Sequence, residues 1–208
     1  MRVALGFRVK SGYAIAVVLR GTVSAPEVVA RHVVQLSDPH VADTKQPYHD
    51  GFGTHEEDAR KIARRVQIVE RCAEQSVTAL VEEVRRAPRH GRVRAALVVG
   101  SVIDPAQVGN PHIRAHANEG RVFRTVLESA LQAHGIDCDV IVEKQLAEKA
   151  AQGLHCPDAE IKRTLAAFGK TLGGSWRAEE KAACTAAWLA LGHRRLFTKD
   201  RSNAKSPT

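Results

Sequence analysis

The sequence predicts a mixed α/β domain, and three observations carry that expectation. The chain opens with two apolar, strand-length runs around a glycine turn, Val3–Phe7 and Tyr13–Leu19. A long stretch beginning at Thr54 repeats apolar residues at three- and four-residue steps, as one face of a helix requires. A further apolar run, Val93–Val99, follows that helix. A strand reached through a helix returns to the sheet by a crossover and pairs in parallel. The expected architecture is a mixed five-stranded sheet, three antiparallel strands then two parallel ones, with helices on both faces.

Each element has its own local reason. Apolar residues fill the two opening strands almost without a gap, which predicts burial on both faces. Gly12, with Lys10 and Ser11, supplies the positive φ that a tight hairpin turn needs. Glu27–Leu36, rich in valine, is the third strand. Residues Ser37–Gly53 have no periodicity and contain Pro39, Pro47, Gly51 and Gly53. A loop of that length inside a compact domain is commonly functional, and Tyr48 and His49 are its candidate contact residues.

Thr54 with Glu57 matches a capping box and is expected to open the long helix. Its apolar stripe runs through Ile62, Val66, Val69, Ala73, Val77, Leu80 and Val84, and Pro88 with Gly91 ends it. Lys61, Arg64, Arg65 and Arg71 fall mostly off the stripe, as a solvated basic face or a phosphate-tracking one. Asn110 and Pro111 are a cap and a first helical residue for a helix that runs to His134, with Gly135 as its stop. Ile113, Ala117, Gly120, Phe123 and Leu127 are its expected core face. Asp139–Val142 is the fifth strand; Lys144–Gln152 and Asp158–Leu172 are helices, and Gly173-Gly174 breaks the second. Ser175 is expected to cap a last helix, Arg177–Leu191, whose alanines allow close approach to the sheet.

Residues 1–192 are expected to form one domain, followed by a basic, disordered tail over 193–208. No apolar run approaches membrane-spanning length, and Met1-Arg2 leads straight into a strand rather than a signal peptide. The four cysteines, Cys72, Cys138, Cys156 and Cys184, are scattered, which fits a reducing cytoplasm rather than a disulfide scaffold. The net charge of +8 favours polyanionic partners, nucleic acid first. With aromatics at 4%, the chain has no evident base-stacking platform.

Several motifs narrow the reading. Gly6-Phe7-Arg8-Val9-Lys10-Ser11-Gly12-Tyr13-Ala14 resembles the first-strand motif of RuvC-type Holliday-junction resolvases, members of the ribonuclease H-like superfamily. Ala95–Gly135 is similar to their fourth strand and the helix after it, Ile141–Gly153 to their fifth strand and lysine-bearing segment, with Lys149 near the lysine. The alanine-rich Glu179–His193 resembles their last helix. The resemblance spans roughly residues 1–192 and implies a ribonuclease H-like fold, a nucleic-acid partner and possible homodimerisation. Those resolvases clamp divalent metal between acidic residues, because hard cations near one phosphate need several carboxylates. Here the first-strand aspartate position reads Phe7 or Arg8, the fourth-strand glutamate position Gly100 or Ser101, and the last-helix positions Ala182 or Thr185. The resemblance therefore implies the scaffold with its acidic nuclease centre degenerate, and no catalytic residue is assigned.

Two constellations remain. His112, His116 and Glu119 share one helical face and, with Asp104 upstream, could hold a divalent metal as a relocated hydrolytic site; the competing reading is a solvated or hydrogen-bonded polar face. Arg8, Lys10, Arg114 and Arg121, with Arg124 and Ser101, could form a basic rim that binds phosphate; the competing reading is exposed helix charge. The function expected is binding of nucleic acid or another phosphate-bearing ligand. The alternatives are a metal-dependent phosphodiesterase and a non-catalytic homo-oligomeric scaffold.

Overall fold

A computed structural model describes residues 2–50, 54–86 and 91–192. Its opening meander consists of β1 (Arg2–Lys10), β2 (Tyr13–Gly21) and β3 (Pro26–Gln35), paired antiparallel. The β1–β2 turn works because Gly12 sits at φ +80°, a conformation that costs glycine little. Two-residue strands β4 (His49–Asp50) and β5 (Thr54–His55) then pair with each other. The crossover follows through α1 (Ala59–Arg86) to β6 (Val93–Val99), parallel to β1. Helix α2 (Pro111–Ala133) leads to β7 (Cys138–Val142), parallel to β6. Three helices close the chain: α3 (Leu146–Leu154), α4 (Asp158–Leu172) and α5 (Ala178–Leu191). The main sheet has five strands in the order β3-β2-β1-β6-β7, the mixed sheet expected.

Side-chain alternation along β1 separates two cores. Leu5 and Phe7 pack with Val77, Phe123 and Leu127 of α1 and α2 on one face. Ala4 packs with Ala183, Ala187 and Leu189 of α5 on the other, where α3 and α4 also lie. Helix α5 comes unusually close to the sheet. A Cβ added at Gly6 would stand 1.9 Å from the Ala183 carbonyl oxygen and 2.3 Å from the Ala187 nitrogen. Strand backbone touches helix backbone there, which only glycine permits.

The structure corrects several local expectations. Thr54 does not open α1; it lies in β5, and the Asp58 carboxylate instead accepts the Arg60 and Lys61 N–H groups at 2.8 and 3.3 Å. Ser175 does not cap α5 either, since the cap residue is Arg177, whose N–H donates to the Glu180 carboxylate at 2.8 Å. Arg65 is buried rather than solvated. On α2, Ile113 is exposed, and Ala115 and Glu119 take the inward places before Phe123. Asn110 and Gly135 behave as expected, the first accepting the Ile113 N–H and the second at φ +69°. Pro88 and the segment 193–208 lie outside the described residues. Among the described residues no helix is long and apolar enough to cross a membrane.

Candidate functional site

The carboxyl ends of β1 and β6 open into a cleft of about 300 Å³, the place where α/β sheets gather ligand sites. Its walls are the β1 end and turn with Arg8, Lys10 and Ser11, the segment after β6 with Ser101, and the α2 face carrying His116, Arg121 and Arg124. Glu119 is the carboxylate in that wall among the described residues.

The cations differ in how free they are. Arg8 is buried; its guanidinium donates to the Val9 and Val98 carbonyls at 3.0 and 3.5 Å and pairs with Glu143 at 2.6 Å. Lys10 stands 3.7 Å from Glu179 and remains partly exposed. Arg121, largely in solvent, faces Asp104 at 3.8 Å. Arg124 lies 3.5 Å from Glu128. Arg114 is exposed on α2 outside the cleft wall. The Ser101 hydroxyl accepts the Ile103 N–H at 3.1 Å and holds the loop after β6 in a turn. On α1, Arg64 and Arg71 are interleaved with Glu70 and Glu74, so that face is mixed rather than purely basic.

Beside the cleft the structure gathers residues that are far apart in sequence. His112 and His116, one turn apart on α2, meet His49 from β4, and potential ligand atoms of all three lie within 4.8 Å of one another. The ring centroids are 4.5–5.3 Å apart. Glu119, one turn further along, is buried beneath them. Its Oε1 accepts from His49 Nδ1 at 2.6 Å and from the Tyr48 N–H at 3.4 Å, and its Oε2 lies 3.5 Å from His116 Nδ1. Opposite a carboxylate that only accepts, the neutral His49 ring has its proton on Nδ1 and its lone pair on Nε2. That Nε2 is buried without a hydrogen-bond partner. Asp104 lies apart from this group, with its Oδ1 accepting the Ala106 N–H at 3.2 Å.

The β4 end of the cluster is held from α1. Arg65 donates to the His49 carbonyl at 3.0 Å and pairs with Asp43 at 2.8 Å and Glu56 at 3.3 Å. The N–H of Asp58 hydrogen-bonds Glu56 and, with Lys61 and Arg65 nearby, holds its carboxyl below the usual range. Burial, with the Glu119 charge, raises the Tyr48 hydroxyl, and Arg121 partly opposes it. Burial also raises the thiols: Cys138 well up, Cys184 to about 12, so neither supplies a ready thiolate.

Helical spacing predicts His112, His116 and Glu119 on one face, and the structure brings them together. From the sequence His49 reads only as a loop contact, since nothing local signals that this loop folds back onto α2. Arg65 reads as a solvated helix residue, and no local signal marks it as the clamp.

Fold and site together define an α/β chain of ribonuclease H-like architecture with a basic, histidine-flanked cleft at the strand ends. The chain is similar to Thermus thermophilus RuvC in complex with a Holliday junction substrate, at 11% identity over 90% of this chain and 91% of that one, with a TM-score of 0.50. It is also similar to another T. thermophilus RuvC structure, at 12% identity over 90% of this chain and 92% of that one, with a TM-score of 0.49. An Aquifex aeolicus Ppx/GppA family member matches at 13% identity over 72% of this chain and 38% of its own length, with a TM-score of 0.36. No protein-family profile and no curated protein matches the sequence. At these identities the likeness to the junction-bound RuvC shows a shared fold and carries no chemistry.

Proposed function

We propose that this chain binds the backbone of nucleic acid, or another phosphate-bearing ligand, across the cleft, on a nuclease-type scaffold whose acidic centre is degenerate. The observation that carries the reading is the composition of the cleft wall: Arg8, Lys10, Arg121 and Arg124 line it, and its carboxylate, Glu119, is turned toward His49. A clamp for hard cations needs the reverse, several carboxylates and few cations. The Arg8–Glu143 pair supports the same reading, because the first-strand position where the resemblance puts a metal-binding aspartate reads Phe7 or Arg8. Arg121, mostly solvated and only 3.8 Å from a half-exposed Asp104, is the cation most able to exchange its partner for a phosphate.

The test is binding of duplex, branched and single-stranded DNA and RNA over a salt series. The logarithm of the affinity should fall linearly with the logarithm of salt, and Arg121→Ala should lower both the affinity and the slope. No binding at low salt, or binding indifferent to salt, removes the reading.

A second reading, a metal-dependent phosphodiesterase, is favoured by one observation: His116 and Glu119 belong both to the cleft wall and to the histidine group. Hydrolysis of a diester that requires added divalent metal and disappears in His116→Ala supports it. If neither binding nor hydrolysis is found, a homo-oligomeric scaffold remains, and sedimentation of the full chain tests that.

A further inference from the structure

We infer that His49, His112 and His116 form a site for a single zinc-class divalent cation, with Glu119 as the carboxylate that orients His49 rather than as a ligand. Zinc–nitrogen bonds of about 2.0–2.1 Å in a tetrahedron set neighbouring ligand nitrogens about 3.3–3.4 Å apart. His112 Nε2 and His116 Nε2 stand 3.3 Å apart. The third position belongs to His49, whose Nε2 is buried with no hydrogen-bond partner while its Nδ1 is committed to Glu119. A buried imidazole nitrogen left unmatched calls for an explanation. A cation accepting its lone pair supplies one.

Glu119 strengthens the case. Its two oxygens face the Nδ1 atoms of His49 and His116, at 2.6 and 3.5 Å. The carboxylate behind its Nδ1 holds the His49 ring with Nε2 turned forward, the usual outer-shell arrangement of metal-binding histidines, while Oε2, buried without a hydrogen-bond partner, only approaches His116. The cation should therefore be one that prefers imidazole. Zinc, copper and nickel qualify, whereas magnesium and calcium require oxygen ligands.

The position also matters. His112 and His116 are exposed, and His116 lines the cleft, so the fourth coordination place opens toward solvent at the cleft edge. A water or a phosphate oxygen of the ligand would take it. Only that last point rests on the phosphate-ligand reading; the metal site stands on the histidines alone.

The test uses untagged full-length protein, stripped by a chelator and titrated with zinc in the absence of nucleic acid. Cobalt is substituted as a spectroscopic probe. One equivalent of zinc should bind, and cobalt should show the intense visible bands of tetrahedral nitrogen coordination. Glu119→Gln should weaken zinc by about 10–100-fold, and His49→Ala and His116→Ala by more. Asp104→Ala should leave zinc binding unchanged. If His49→Ala fails to fold, His112→Ala and His116→Ala on the exposed helix face carry the test. Wild-type protein without saturable zinc binding, or His116→Ala binding as wild type does, overturns the site. Because no nucleic acid is present, this failure is separate from failure of the phosphate reading.

Discussion

His49 Nδ1 lies 2.6 Å from Glu119 Oε1, and both side chains are shut off from solvent although 70 residues separate them in the chain. This contact fastens the segment after β3 onto α2 and sets the ring plane of a histidine at the cleft edge.

Removing the acceptor should be costly. Glu119→Ala leaves the His49 N–H and the Tyr48 backbone N–H without their partner, and an unsatisfied buried donor costs about 1–3 kcal/mol. Glu119→Gln keeps an acceptor oxygen for His49 and should lose less than half as much. Urea unfolding in metal-free buffer measures both. Equal stability of Glu119→Ala and wild type would mean that the pair contributes nothing.

Arg65 is the second anchor of the same segment. Its side chain and that of Glu56 are both about nine-tenths buried, so truncating Arg65 strands a buried carboxylate. Breaking such a pair is destabilising, because one charge is left without its partner. The Asp43 arm, mostly in solvent, adds little. Arg65→Lys cannot reach the His49 carbonyl and the carboxylates together and should restore only part of the loss. Hydrogen exchange at residues 43–50 should quicken in Arg65→Ala well before global unfolding, and unchanged protection there would contradict the clamp.

The sequence exposed the frame far better than it exposed these anchors. The bounds of β6 and α4 follow from local signals, an apolar run in one case and a glycine pair with φ near +68° in the other. Local signals also misled: Thr54 and Glu57 have capping-box spacing, yet α1 starts later, and its Arg60 and Lys61 N–H groups donate to Asp58. The first turns of α2 face the β4–β5 segment, not the sheet. A polar group, Glu119, therefore takes an inward place that periodicity had assigned to apolar neighbours such as Ile113. Pairing a buried carboxylate with a particular distant histidine depends on how a long irregular loop folds back. Neither residue's neighbours in the chain encode that.

Gly6 gives a sharper test of the frame. Gly6→Ala would drive a methyl group into the Ala183 carbonyl and the Ala187 backbone, where nothing flexible can yield. Overpacking costs of about 3 kcal/mol or more are expected, against the strand preference that would otherwise favour alanine. Gly100→Ala is the control, since a Cβ there meets nothing within 4 Å, and it should change stability by less than about 0.5 kcal/mol. Thermal or urea unfolding of the two variants side by side would contradict the strand–helix contact if they proved equally mild.

Acid should remove the stabilisation that Glu56 contributes. The Asp58 N–H, then Lys61 and Arg65, hold its carboxyl below the usual range despite an opposing contribution from burial. Because the folded value lies below the unfolded one of about 4.3, the folded state binds fewer protons in that window. The stabilisation is therefore fully present above the unfolded value and disappears as pH falls through the folded one. Glu56→Gln removes the titration. The stability difference between wild type and Glu56→Gln should be constant from neutral pH to about pH 5 and should narrow below it. Urea unfolding of both proteins at a series of pH values reads this directly, and a gap as wide at pH 3 as at pH 7 would mean that the carboxyl is not held by these partners.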